Sequence, residues 1–328
     1  MENAMIDYGW EVRGRGQPTT QDAVLGFSML LLAGAGVILG GVNLYFIKTV
    51  KIFHTAFGWF WASRAVSEMF VEATHVVYNA PVTFLQPLNI SPYLGFVPWI
   101  CFCIGAVSGC IMHATIAVNR CVAICFPLKY KKIFRKSTCI TLIVVAWVSC
   151  LLLTPFYVLV PCSLIGYSPT LYEYSYIGCL EDITRKASRV GTIMNTFCFG
   201  ICFATVFVDA TTLSRILYLR KKLRMGAAQE NFRRDIRFFA QSAFQNVIMI
   251  FTVIVLTHVN NSNDPSMKLI NILDFFVVLI THIANPLSLI IFNPEVRRRV
   301  LQTQRIIPSL AGSVEPSSLR PNISIQKA

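Results

Sequence analysis

Three long uncharged segments constrain this chain more than any other feature of its sequence. Ala23–Ile47, Leu94–Val118 and Cys139–Val160 contain no Asp, Glu, Lys or Arg. An α-helix needs about 20 apolar residues to cross the hydrocarbon of a bilayer. Its backbone N–H and C=O groups must then bond within the segment, because no water is there to bond them. We therefore expect each segment to be a transmembrane helix.

Four further segments are apolar enough to cross a bilayer although they include polar residues. They are Phe57–Tyr78, Gly191–Leu213, Phe238–Val259 and Leu269–Phe292. Together with the first three, they predict an all-α membrane protein whose residues 23–292 form a seven-transmembrane helix bundle.

Helix two is the most polar of the seven. It carries Arg64, Glu68 and Glu72 at four-residue spacing, so the three side chains lie on one helix face. A charge at a helix centre costs about 2.5–3.5 kcal/mol to insert, so neighbouring helices must shelter this face. Two interpretations stay open: an internal ion pair that helps the helix insert, or a ligand cavity lined by Glu72.

The formal net charge is +13, and most of the lysines and arginines lie after helices one and three, between helices five and six, and in the tail. Such residues stay on the cytosolic side. The pattern therefore predicts an extracellular segment 1–22, a cytoplasmic segment 293–328 and a multi-pass protein of the plasma membrane. Nucleic-acid binding is excluded, because the basic runs lie beside the helices and contain no recognition motif.

The cytoplasmic segment begins with Asn293-Pro294-Glu295, which is typical of a helix start. We expect a short amphipathic helix lying on the membrane lipids, followed from Pro308 by a disordered tail. On the opposite side, the sequons at Asn89 and Asn260 are candidate glycosylation sites.

Two of the eleven cysteines, Cys162 and Cys179, fall in the long outer loop between helices four and five. The extracellular environment is oxidising, so we predict a disulfide that folds this loop over the mouth of the bundle. The remaining cysteines are expected to be buried apolar residues or reduced thiols. Neither they nor the scattered histidines have metal-ligand spacing, so no metal and no cofactor is predicted.

Polar residues in the later helices are candidates for a structural network or for a switch, and both interpretations stay open. Arg120 lies at the inner end of helix three. Asp274 and His282 share one face of helix seven, where Asn285 and Pro286 follow and the proline removes a backbone hydrogen bond.

Several of these segments resemble a known family. Residues 116–134 read IAVNRCVAICFPLKYKKIF, residues 234–246 read RDIRFFAQSAFQN, and FNPEVR follows helix seven. With FGWFWASRAVS at 57–67 and the paired loop cysteines, they are similar to rhodopsin-like G-protein-coupled receptors, and more specifically to the nematode serpentine chemoreceptors of class x. The resemblance covers nearly the whole chain.

The sequence departs from the wider rhodopsin-like pattern at two switch positions. Asn119 stands before Arg120 where an acidic residue is usual, and Leu289 stands where a tyrosine is usual. An asparagine cannot form an ion pair with Arg120, so we predict that Asp235 in helix six supplies this partner.

The resemblance implies a chemosensory receptor and not an enzyme. It would bind an odorant or pheromone-like small molecule and signal to a heterotrimeric G protein, in the cilia of sensory neurons. By their depth in the bundle, six residues are candidates for the ligand pocket: Glu72, His75, Trp99, Phe102, Asn195 and Asp274. Residues expected to act in coupling are Asn119, Arg120, Asp235, His282, Asn285 and Pro286. The alternative is a seven-helix channel or transporter.

Overall fold

The structure is a computed structural model that describes residues 9–179, 187–223, 229–259 and 268–299. Its elements run in chain order as α1 (Thr20–Thr49), α2 (Ala56–Thr74), α3 (Ala80–Leu85), α4 (Pro92–Cys125), α5 (Pro127–Ile133), α6 (Lys136–Leu153), α7 (Phe156–Leu159), β1 (Ile165–Ser168), β2 (Glu173–Tyr176), α8 (Arg189–Leu223), α9 (Gln229–Val259) and α10 (Lys268–Phe292).

Within the described ranges, five stretches are long and apolar enough to cross a membrane; they lie in α1, in α4, in α6 with α7, in α8 and in α10. α9 contains a shorter apolar stretch, Phe239–Ile254. The charged helix α2 provides the remaining predicted crossing. Large apolar side chains such as Phe197 and Phe251 are exposed on the outer surface of the bundle, as expected where lipid replaces water.

The first helix starts at a capping box. The Thr19 side chain accepts from the Asp22 amide, and the Asp22 carboxylate accepts from the Thr19 amide at 2.7 Å. These bonds pair two backbone donors that an α-helix leaves free at its first turn.

α2 continues into α3 through a π-helical turn, His75–Asn79. The Ala80 amide donates to the His75 carbonyl five residues back. Pro81 follows, and its missing N–H prevents the regular bonding of an α-helix at this point. The turn places His75 inside the bundle, where it is fully buried.

α4 is the central helix and packs against α2, α6 and α8. Its contact with α2 depends on Gly105, because a Cβ atom there would come within 2.8 Å of the Ser67 carbonyl oxygen. A larger residue would force the two helices apart.

The predicted disulfide is present: Cys162 and Cys179 are bonded, with their Cα atoms 5.2 Å apart. Between them β1 and β2 form an antiparallel hairpin in which Tyr167 faces Tyr174. The side chains of both strands are buried, so the hairpin inserts into the bundle and does not lie on its surface. We call this the hairpin end.

The other end of the bundle, which we call the α5 end, includes α5 and the end of α10. The Asn293 side chain accepts from the Glu295 amide at 3.0 Å, and residues 294–299 are helical, where the sequence predicts a helix. Val296 is buried, and Arg297 with the two arginines after it is exposed. The predicted disordered tail lies outside the described residues.

Candidate functional site

A cavity of about 80 Å³ lies between α4, α8, α9 and α10; we call it the hairpin-side cavity. Three of the predicted pocket residues, Trp99, Phe102 and Asn195, line it, as does His282. The other lining residues are Cys103, Ala106, Val107, Cys110, Tyr157, Met194, Cys198, Met249, Thr252, Val253, Val278 and Thr281.

An aromatic layer connects this cavity to the hairpin. The Tyr174 ring lies 5.0 Å from Trp99 and 5.1 Å from Phe102, centroid to centroid. Trp99 and Phe102 themselves stack at 5.5 Å. Tyr174 also accepts a hydrogen bond from Asn79 at 2.8 Å. The hairpin thus packs against the α4 wall of the cavity.

The other three predicted pocket residues lie outside the cavity lining. Glu72 is buried beside Gly36 of α1, and His75 packs edge-on against Phe102 and Phe275. Asp274 is buried on α10, closer to the hairpin. Depth along a helix does not determine which face of the helix points into a cavity, and this explains the difference.

A buried acid in the hairpin lies near Asp274. Glu173 of β2 is 4 % exposed. Burial raises the pKa of Glu173 to about 9, and the neighbouring Asp274 carboxylate adds to the shift by repulsion. The hairpin therefore carries a neutral Glu173 at neutral pH.

The N-terminal segment is tied to the hairpin by Asp22. The Asp22 carboxylate pairs with Arg15 and accepts from Gln86 at 2.8 Å and from Tyr172 at 2.7 Å. Lys268 lies over the Tyr172 ring at 4.7 Å. This network closes the hairpin end with partners from α1, α10 and two loops.

A buried polar cluster lies deeper in the bundle, around Arg64. Its guanidinium donates to Glu68 at 2.8 Å, as the internal ion pair of helix two predicts. It also contacts the His113 ring of α4 at 2.7 Å and donates to Gln245 of α9 at 3.0 Å. A further contact at 3.7 Å reaches the sulfur of Met249, which lines the hairpin-side cavity.

The cluster continues to the proline segment of α10. Gln245 donates to Ser288 at 2.5 Å, and Ser288 donates to the Asn285 carbonyl at 2.6 Å. Asn43 of α1 donates to the Pro286 carbonyl at 3.1 Å. The carbonyl that Pro286 leaves without its regular donor is that of His282, four residues earlier. Asn43 therefore bonds a carbonyl of α10 that lies about one helical turn after the carbonyl freed by Pro286.

A second cavity, of about 300 Å³, opens at the α5 end; we call it the α5-side cavity. Asn119, Arg120 and Asp209 line it together with Tyr130, which accepts from Asn119 at 3.3 Å. The Arg120 guanidinium lies over the Phe57 ring and is attracted by the Asp209 carboxylate. Asp209 also accepts from Ser242 of α9 at 3.0 Å.

The side chain of Asp235, the predicted partner of Arg120, lies outside the described residues. Of the two candidate glycosylation sites, Asn89 is exposed in the loop before α4, and Asn260 lies outside the described residues.

Sequence reasoning missed Gln245, Ser288, Met249 and the sulfur-rich cavity wall. A polar residue such as Gln245 inside a membrane crossing was an available signal, because such residues are costly there. The insertion of the hairpin was also missed, although tyrosines recur through residues 167–176.

Comparisons with known proteins agree with this architecture. Squid rhodopsin superposes with a TM-score of 0.72 over 92% of this chain and 89% of its own, at 14% sequence identity. The mouse olfactory receptor 8U3 is 23% identical over 83% of this chain and 85% of its own length. The human olfactory receptor 2A12 is 25% identical over 85% of this chain and 89% of its own.

These similar proteins are receptors and not enzymes, and they do not favour a channel or transporter. The sequence profile of the serpentine seven-transmembrane GPCR chemoreceptors of type Srx matches residues 30–293, which is most of the chain. This chain belongs to the Srx family of serpentine seven-transmembrane G-protein-coupled chemoreceptors.

Proposed function

We propose that this receptor binds an external small molecule in the hairpin-side cavity and activates a heterotrimeric G protein at the α5 end. The hairpin end then faces the outside of the cell, and the α5 end faces the cytosol. The positions of charge support this orientation, since Lys129, Lys131 and Lys132 of α5 and Arg297 all lie at the α5 end. The disulfide lies at the other end, where an oxidising environment is needed.

The observation that carries the proposal is a chain of contacts from the hairpin-side cavity to the helix-seven proline. Met249 lines the cavity and touches Arg64, Arg64 bonds Gln245, and Gln245 bonds Ser288. A ligand that displaces Met249 would therefore disturb the bonds that hold α9 against α2 and α10.

Helix α9 also connects the hairpin-side cavity to the α5 end, where coupling to the G protein takes place. α9 is bonded to α8 through Ser242 and Asp209, and Asp209 faces Arg120 across the α5-side cavity. If ligand binding favours an arrangement with α9 moved outward, this cavity widens and Arg120 becomes available to the G protein. The bonds of Gln245 and Ser242 are those that such a motion breaks.

The ligand class follows from the family, whose members are chemoreceptors. We propose an odorant or pheromone-like molecule as the ligand, and the plasma membrane of sensory-neuron cilia as the location. The resting partner of Arg120 is an acidic side chain, for which Asp209 and Asp235 are the candidates.

A reconstituted assay tests this function. The receptor in lipid nanodiscs is mixed with a panel of purified heterotrimers and screened with volatile compounds, and nucleotide exchange is measured. We expect at least one compound to raise exchange, and Arg120→Ala to abolish the response while the lipid-facing control Val206→Ala retains it. Compound-evoked current in cells lacking G proteins, with no exchange in nanodiscs, would instead establish the channel alternative.

Orientation has its own measurement. A tag fused behind Ala328 should resist protease added to intact cells, and a tag before Met1 should be removed. The opposite result would place the hairpin end in the cytosol and end the proposal.

A further inference from the structure

The described residues that line the hairpin-side cavity carry no formal charge, since there is no Asp, Glu, Lys or Arg among them. An ion entering this space would leave its water and meet no counter-charge, which costs several kcal/mol even after relaxation. The cavity therefore discriminates strongly against charged compounds.

The charged side chains near the hairpin-side cavity contact other parts of the bundle and do not line the cavity. Glu72 packs against Gly36 of α1, away from the cavity. Asp274 lies near Glu173 of the hairpin. Arg64 is paired with Glu68, and Met249 stands between the guanidinium and the cavity. None of these side chains lines the space that a ligand would occupy.

Three uncharged polar groups remain for a ligand. Among the described residues the Asn195 amide has no hydrogen-bond partner, and the Nε1 atom of Trp99 and the Nδ1 atom of His282 are buried without one. They lie on α8, α4 and α10. The hydroxyls of Thr252 and Thr281 are already bonded to each other at 2.7 Å and to their own helices.

The rest of the cavity lining is rich in polarisable side chains, and the cavity is small. Five sulfur-containing side chains in the described part of the chain line it: Cys103, Cys110, Met194, Cys198 and Met249. Sulfur and aromatic groups favour contact with compact apolar bodies through dispersion. A volume of about 80 Å³ lies below the roughly 300–1,000 Å³ of ordinary ligand pockets, so the ligand must be compact.

We propose that the natural ligand is a compact, uncharged molecule with an apolar body against the sulfur and aromatic wall and one hydrogen-bonding group on Asn195. The inference deepens the proposed function by naming the ligand class of the same cavity. Binding to the cavity is measured without a G protein, so the two can fail separately.

The experiment uses three probes of one shape: 3-methylbutan-1-ol, 3-methylbutylammonium and 3-methylbutanoate. The full-length receptor is held in nanodiscs near pH 7, and binding is followed by saturation-transfer NMR with competition among the probes. We expect the alcohol to bind at roughly millimolar concentration, as an unoptimised ligand of six heavy atoms should. Each ion should bind at least about 10-fold more weakly.

Two variants place the binding in the cavity. Ala106→Leu fills space in the lining and should abolish alcohol binding, whereas Ala210→Leu makes the same change on the exposed face of α8 and should not. Asn195→Leu should weaken the alcohol by about 2- to 12-fold, the range of one net hydrogen bond, and leave 2-methylbutane unchanged.

Three results would overturn the inference. The first is an ion that binds as tightly as the alcohol and is lost in Ala106→Leu. The second is alcohol binding that Ala106→Leu leaves intact, which would mean partition into lipid or another site. The third is no binding by the alcohol at all. Cavity binding as described, with no compound that raises nucleotide exchange, would instead count against the proposed function alone.

Discussion

Arg64 of α2 and Gln245 of α9 are joined by a buried hydrogen bond of 3.0 Å that crosses the centre of the bundle. The same guanidinium is paired with Glu68, and Gln245 passes the contact to Ser288 of α10. The Arg64–Gln245 bond thus ties α2 to α9, and the Gln245–Ser288 bond ties α9 to α10, two helices that line the hairpin-side cavity. The first of these bonds involves a charged donor in an apolar interior, where such bonds are strong.

Loss of this bond should release α9. In Gln245→Leu the charged bond of about 1.5–3 kcal/mol is absent from the resting arrangement. We expect basal nucleotide exchange to rise by about 10-fold. The control is Val247→Ala, which changes an exposed residue two positions later. Equal basal exchange in both variants at matched receptor concentration would show that this bond does not restrain the helix.

Two variants, Asp209→Asn and Asp235→Asn, each remove one negative charge and can identify the resting partner of Arg120. Asp209→Asn keeps a group that can accept from Ser242 but removes the attraction to Arg120. We expect it to raise basal exchange several-fold. Asp235→Asn tests the partner predicted from the sequence. A rise in Asp235→Asn with none in Asp209→Asn would assign the restraint to Asp235.

The disulfide should hold the hairpin inside the bundle. Its cysteines are separated by 17 positions, and a crosslink that closes a loop of this size is worth about 3 kcal/mol. Cys162→Ser, Cys179→Ser and the double variant should therefore lower the unfolding temperature equally and speed amide exchange in residues 165–176. Cys101→Ser, at an unpaired cysteine, serves as the control. Single variants of unequal effect would mean that the free thiol, and not the lost crosslink, causes the change.

Alkaline pH should loosen the hairpin through Glu173. The pKa of Glu173 is about 9 when folded, against an ordinary value of 4.5, so the folded protein holds this proton more tightly than the unfolded chain. The stabilisation is complete below pH 4.5 and is lost as pH rises through 9. The unfolding temperature should fall over this range, and amide exchange in β2 should quicken.

The matched variant for this pH effect is Glu173→Gln. In this variant the unfolding temperature should fall much less as pH rises. Part of the fall should remain, because burial also raises the pKa of Glu11. An unchanged fall in Glu173→Gln would assign the pH dependence to other groups.

Structural features that depend on residues close together in the sequence could be predicted from the sequence. An uncharged run such as Ala23–Ile47 predicts a membrane crossing because hydrophobic burial and backbone bonding are both satisfied within the segment. The ion pair of Arg64 with Glu68 followed from helix geometry, since residues four apart lie on one face. The disulfide followed from two cysteines in one outer loop.

The sequence could not indicate which of the chosen pocket residues line the hairpin-side cavity, and the reason is physical. Glu72 and Asn195 were chosen by depth, yet only Asn195 lines the hairpin-side cavity. Which face of a transmembrane helix meets a cavity is decided by the rotation of that helix against its neighbours, and that rotation depends on packing such as the close approach at Gly105.

The sequence by itself determined the crossings, the family resemblance and the local pairs, since these depend on composition and on spacing along one helix. Only the tertiary structure decided that Arg64 meets Gln245, that the cavity wall is uncharged and rich in sulfur, and that the hairpin enters the bundle. Such contacts join residues far apart in the chain. They depend on how helices rotate and pack against one another, which no short segment encodes alone.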